Sequence, residues 1–180
     1  MREEERVARD VYLHFDSLWN APPFAGIAQS EQQHTDAIKV QMDRYNVVDL
    51  SDPTVNGVFA NAALQQLYDE LSVKGEATLL AALNVGALIE EVDIADLEAA
   101  IAATENVDLQ QVYGNLLRGS RNHLRAYVTE IERQGGDAYV AQHLTQDAVD
   151  EIVTAPMERG GSRDGAAGNG QGAGAGGSRR

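Results

Sequence analysis

The chain of 180 residues contains no cysteine, four prolines, one tryptophan and only two lysines, Lys39 and Lys74. Lack of cysteine excludes a disulfide framework, thiolate zinc sites, iron–sulfur clusters and a cysteine nucleophile. Basic residues are scarce, 14 against 28 acids, for a formal charge of −14. Nucleic acid and anionic membranes are therefore not expected as partners, since both are held through a basic footprint. No apolar run approaches the roughly 20 residues that span a bilayer. Phosphate-loop, dinucleotide and Ser/His/Asp signatures are missing as well.

The charge is unevenly placed. Residues 159–180 carry Arg159, Arg163, Arg179 and Arg180 against Asp164, together with nine of the 17 glycines. Such a segment buries too little to order itself, so residues 156–180 are expected to form a disordered tail behind a domain spanning 1–155. The start, MREEERVARD, has no apolar stretch of the kind that opens a secretory signal. Two locations stay open: the cytoplasm, or export with a segment trimmed before Met1.

What the chain does have is helix. Ala, Leu, Glu and Gln dominate, and the two-residue alternation of strands is lacking. The patterning predicts helices over about 3–20, 24–45, 61–73, 76–103, 106–134 and 137–154. Turn signals at Pro22-Pro23, Asp52-Pro53, Asn56-Gly57 and Gly135-Gly136 separate them. Two hairpins joined by a long 47–75 connection imply an all-α fold: a four-helix bundle with one crossover, which holds a short helix, plus a C-terminal helix.

Spacings of three and four residues pick out one face of each long helix. The stripes read Glu5, Ala8, Tyr12, Phe15, Trp19; then Phe24, Ile27, Glu31, His34, Ile38, Met42. On the later helices they read Leu83, Ala87, Glu90, Ile94, Leu97 and Leu116, Ser120, His123, Tyr127, Ile131. Each is apolar apart from one ionisable or polar cluster. A buried carboxylate without a partner costs several kcal/mol or neutralises itself. Three carboxylates and two imidazoles converging on one core thus call for compensating charge. Two divalent cations supply it, with Glu5, Glu31, His34, Glu90 and His123 as candidate ligands and Asp93, one turn past Glu90, as a sixth. Glu31-Gln-Gln-His34 is the Glu-x-x-His pattern of di-iron and di-manganese carboxylate bundles.

At these residues the chain resembles the ferritin-like superfamily, rubrerythrin-type domains most closely. Glu5 with Ala8 and Tyr12 looks like the first-helix pattern, and Glu31 to His34 like the second. Val58-Phe59-Ala60-Asn61, Leu67-Tyr68-Asp69-Glu70-Leu71, Gly86-Ala87-Leu88-Ile89-Glu90, Asp93-Ile94-Ala95-Asp96-Leu97 and the run Leu117 to Arg125 are similar to an uncharacterised ferritin-like domain of bacteria and archaea. The resemblance implies iron or manganese as cofactor, and oxidation of ferrous iron or reduction of dioxygen or peroxide. It also implies Asp93 as the extra acid of rubrerythrin-type sites, and a possible homodimer. With no cysteine for a rubredoxin-type iron, electrons must come from an external donor protein.

One position departs from that pattern. A symmetrical site needs a second Glu-x-x-His on the 106–134 helix, where this chain has Ser120-Arg121-Asn122-His123. Serine cannot replace a bridging carboxylate, so an asymmetric, mononuclear or empty site stays open. Against the metal reading stands a bundle without metal that serves as an interaction or structural domain; iron storage in a cage is a weaker third. Tyr12 and Tyr127 read either as core tyrosines with satisfied hydroxyls or as hydrogen-bond partners of metal-bound carboxylates. His14 and His143 read as surface, and Glu130 lies too far along its helix from His123 to join a site.

An acidic, lysine-poor surface is also expected of a protein kept soluble in concentrated salt, where self-repulsion is screened. If that is its origin, dialysis from molar salt into dilute buffer unfolds the chain, as read by loss of helical circular dichroism; an unchanged signal contradicts it.

Overall fold

The computed structural model describes residues 1–51 and 55–159. Among them are six helices and no strands: α1 (Arg2–Trp19), α2 (Phe24–Arg44), α3 (Ala62–Gly75), α4 (Leu79–Ala103), α5 (Val107–Arg133) and α6 (Gln146–Thr154). The all-α expectation holds, and five of the six helices fall within three residues of their predicted limits. Local chemistry sets the ends. The side chains of Asn61, Thr78 and Thr145 accept from Ala63, Ala81 and Ala148 backbone N–H groups and so cap α3, α4 and α6. Asn20, at φ 44°, closes α1 in the left-handed conformation.

Short links make α1 and α2 one hairpin and α4 and α5 another, each pair packed along its length. Helix α3 lies within the connection between the hairpins and rests on α1 and α4. Aromatic rings fill one part of the core: Tyr12 and Tyr127 are 5.4 Å apart between centroids, Phe15 and Phe24 5.6 Å, and Phe24 and Tyr127 5.8 Å. All four are fully buried, each contributing about 1.5–3 kcal/mol on transfer from water. Gly86 on α4 permits this packing, because a Cβ there would overlap the Tyr127 ring.

Helix α1 also buries three arginines, Arg2, Arg6 and Arg9. They face the connection after α2 and tie it down. Arg2 pairs with Asp49 at 2.5 Å, and the Arg6 guanidinium lies 5.2 Å from the Phe59 ring centroid. Arg9 donates to Asp10, whose other oxygen accepts from the Gly57 N–H at 2.8 Å. Their burial follows from the acids and carbonyls of the long connection, which lie far off in sequence.

The predicted 137–154 helix forms only as α6, from Gln146. Gly135, at φ 78°, ends α5, and the next residues are drawn to a buried carboxylate instead of to one another. Glu91 on α4 accepts from the backbone N–H groups of Gln142, His143 and Leu144 and from the Tyr139 hydroxyl. Those N–H groups are then not available to a helical turn. Beyond α6, Glu158 pairs with Arg121 and Arg125 on α5, so the body reaches past residue 155. The remainder of the expected tail, 160–180, lies outside the described residues. No helix among the described residues is long and apolar enough to cross a membrane.

Glu91 is fully buried, and removing it strands several N–H donors. Glu91→Ala is expected to destabilise the protein by about 3 kcal/mol and to open residues 134–158 to protease. Chemical denaturation and limited proteolysis check this; an unchanged midpoint and cleavage pattern contradict it.

Candidate metal centre

The first hairpin supplies Glu5 from α1 and Glu31 with His34 from α2; the second supplies Glu90 from α4 and His123 from α5. Glu31 and His34 are one turn apart on the buried face of α2. Glu31 and Glu90 are completely shielded from solvent, and Glu5, His34 and His123 nearly so. Glu90 and its neighbour Glu91 part company, since consecutive helical positions point about 100° apart. Glu90 faces the other hairpin, while Glu91 serves the C-terminal segment.

Glu31 stands at the middle. One of its oxygens is 2.8 Å from His34 Nδ1 and the other is 2.8 Å from His123 Nδ1. His34 Nδ1 is also 3.1 Å from Glu5 Oε2, and His123 Nδ1 is 3.4 Å from Glu90 Oε2. The imidazoles stack at 5.6 Å with planes 26° apart. Two groups of donor atoms result, Glu5–Glu31–His34 and Glu31–Glu90–His123, in each of which all atoms lie within 4.8 Å of one another. Either group could hold a metal ion, and Glu31 belongs to both.

The contacts around Glu31 are close, yet they are not hydrogen bonds in direction. Both Glu31 oxygens, His123 Nδ1 and Glu90 Oε2 are buried without a hydrogen-bond partner. Donor atoms that converge at such separations out of hydrogen-bond alignment fit a common cation. At metal–ligand bonds of roughly 2.1 Å, donors around one ion stand roughly 3 Å apart. The donor set, carboxylate oxygen and imidazole nitrogen with no sulfur, suits iron, manganese or zinc.

Surrounding groups orient these ligands. Tyr12 donates to Glu90 Oε1 at 2.7 Å, whereas the Tyr127 hydroxyl is buried with no partner. His123 Nε2 is 3.0 Å from Ser30 Oγ, which leaves Nδ1 turned to the carboxylates. Gly119 gives room for the His34 ring, since a Cβ there would stand 2.6 Å from Nε2. Neither Ser30 nor Gly119 follows from stripe spacing: Ser30 is off the buried stripe, and glycine carries no pattern. Asp93 is buried with one oxygen unpartnered but belongs to neither group of three donors. Ser120 is buried and its hydroxyl turns back to the Leu116 carbonyl at 3.3 Å. Glu130 is occupied by Arg133, His14 pairs with Glu76 at 2.9 Å, and His143 is exposed.

Electrostatics make the cluster a store of protons. Burial pushes the Glu5 carboxyl up to about 8 and raises Glu90 and Asp93 too. For the imidazoles burial works in the opposite direction and is outweighed. Glu31 and Glu5 hold His34 up at about 10, and Glu90 and Glu31 do the same for His123. Burial alone would raise Glu31, but the two histidines keep it well below the usual carboxylate range. A divalent cation entering either group must displace protons from these side chains.

Residues 1–156 match the uncharacterized protein domain DUF2202, and the chain belongs to that family. It is similar to the uncharacterized protein MJ0754 of Methanocaldococcus jannaschii, with 44% identity over 163 residues, 91% of this chain and 88% of that protein. The crystal structure of hypothetical protein MJ0754 superposes with a TM-score of 0.84, covering 88% of this chain and 90% of that one.

The raised groups set a pH dependence for the metal-free protein. His34 and His123 bind their protons more tightly folded than unfolded, so their contribution is complete below about 6.5 and is lost as pH rises through about 10. Glu5 acts alike between about 4.5 and 8. The Tm of metal-free protein is therefore expected to fall from pH 6 to pH 9, and Mn(II) to reduce or reverse the fall. Calorimetry across that range tests this; a Tm that climbs with pH without metal contradicts it.

Proposed function

We propose that this DUF2202 protein is a ferritin-like four-helix bundle whose function is to hold a dinuclear iron or manganese centre. Glu31 would bridge the two ions, with Glu5 and His34 completing one side and Glu90 and His123 the other. The observation that carries this reading is the buried Glu31 carboxylate, each oxygen 2.8 Å from an imidazole Nδ1 and neither in a hydrogen bond. When bound, such a pair would pass electrons to dioxygen or peroxide, with ferrous iron or an external donor as their source.

The chain's own residues give that chemistry its setting. Apolar side chains of four helices exclude water, which strengthens every charge interaction inside. Tyr12, donating to Glu90 Oε1, fixes one carboxylate. Ser30 selects the orientation of His123. Asp93 would serve as a reserve acid beside Glu5 and Glu90, the neighbours whose charges act on it most. Electrons would come from an external donor protein, as the chain has no cysteine for a second iron site.

Ser120 favours a second reading, a bundle that keeps the fold for interaction or structure and binds no metal. Its buried hydroxyl returns to its own helix and supplies nothing in place of a second bridging carboxylate. The two readings differ over Glu31. Unused buried charges are a burden, so under this reading Glu31→Leu with His34→Leu stabilises the fold or leaves it unchanged.

Anaerobic titration of metal-stripped protein with Fe(II) tests the leading reading. Two ions per chain are expected from the two donor groups. Glu90→Gln is expected to weaken one of them by about tenfold or more, and Glu31→Gln to weaken both. Stoichiometry and affinity that ignore Glu31 would falsify the proposal.

A further inference from the structure

Of the five donors, the two imidazoles are the ones that reach water. Their side chains are each 10% exposed, against 2% for Glu5 and none for Glu31 and Glu90. Both rings stand at the seam where α2 of the first hairpin meets α5 of the second, stacked 5.6 Å apart. Their outer edges are held differently. His123 Nε2 is 3.0 Å from Ser30 Oγ. His34 Nε2 makes no hydrogen bond among the described residues and is not sealed from solvent. It looks onto Gly119, where a Cβ would stand 2.6 Å from Nε2, 2.8 Å from His34 Cε1 and 3.9 Å from His123 Cε1. The space of one absent methyl group therefore lies against the outer edge of His34, with His123 beside it.

An ion can reach Glu31 only past some side chain that gives way. Protein interiors are packed too closely for a ring to turn unless a neighbour leaves room, and a change of rotamer swings the ring edge sideways. His34 has that room on its Gly119 side, while its Nδ1 faces Glu31 and Glu5. The competing approach is the cavity of about 210 Å³ walled by α1, α3 and α4, which Val7, Leu64, Leu71 and Leu88 line with apolar groups. An ion entering there sheds its water without gaining a ligand. We infer that metal ions enter and leave the cluster through the α2–α5 seam, with His34 as a gate that turns into the space at Gly119 and returns as a ligand. Gly119 then governs the rate of exchange, and Glu31 the affinity. This inference rests on the proposed metal centre.

Rates separate a gate from a ligand that is merely disturbed. Full-length metal-free protein is mixed with Mn(II), and loaded protein with excess chelator, each followed by the electron paramagnetic resonance of free Mn(II). Gly119→Ala is expected to slow both loading and release by about tenfold or more, with the number of ions bound unchanged. If the added methyl group only pushes His34 off the metal, release quickens instead, and that result overturns the inference. Leu64→Trp, which fills the α1–α3–α4 cavity from a partly buried position, is expected to leave both rates as they are; slower loading in this variant also overturns it. Helical circular dichroism reports that each variant is folded. In metal-free protein, deuterium exchange at the His34 Cε1, read by mass spectrometry, is expected to be several-fold slower in Gly119→Ala, and equal exchange contradicts the gate. Two ions bound at rates that ignore Gly119→Ala overturn this inference alone, whereas a wild type that binds no Mn(II) overturns the metal centre and this inference with it.

Discussion

The buried Glu31 carboxylate is the constraint around which the two hairpins are arranged. It sits on α2 with no solvent exposure, and an isolated charge there would neutralise or prevent folding. The protein answers with an imidazole from its own helix and another from α5, so one hairpin's charge is met by the other's. The acids on α1 and α4 then need the same imidazoles. Five ionisable groups are thereby tied into one buried cluster. Removal of any member changes the charge state its partners can hold.

That interdependence explains why the cluster was legible in the sequence. A carboxylate and a histidine three residues apart are common on helix surfaces, but here they interrupt an apolar stripe, and matching acids interrupt the stripes of two other helices. The same logic chose Glu90 over Glu91, and the fully buried Glu91 was the instructive surprise. It lies off the stripe, and nothing in the spacing reports its burial. Its partners are backbone N–H groups 51 to 53 residues away, a kind of contact that no local pattern records. The α1 arginines were hidden for a similar reason: a cation looks solvated until the connection that covers it is seen. The 137–145 stretch departs from its expected helix for the same reason, because propensity cannot register a competing acceptor.

Ser120 gives the centre its particular character. Where a symmetrical site carries a carboxylate on each side of the ion pair, this chain has one shared acid, two outer acids and two histidines. In the proposed centre, three carboxylates against two divalent ions would leave one positive charge over, with little water to disperse it. Asp93, buried nearby and unpaired, is the nearest means within the chain of balancing that charge. Membership of an uncharacterized family adds the frame, since the match runs over both hairpins and both donor groups.

The claim on which this account rests is that Glu31 lies between two metal ions. Diffraction from crystals of the full chain loaded with Mn(II), collected at the manganese absorption edge, tests it directly. The account predicts two anomalous peaks about 3.5–4 Å apart, one on each side of the Glu31 carboxylate and within bonding distance of His34 and His123. A map with no peak beside Glu31, with manganese only on surface acids, would contradict it.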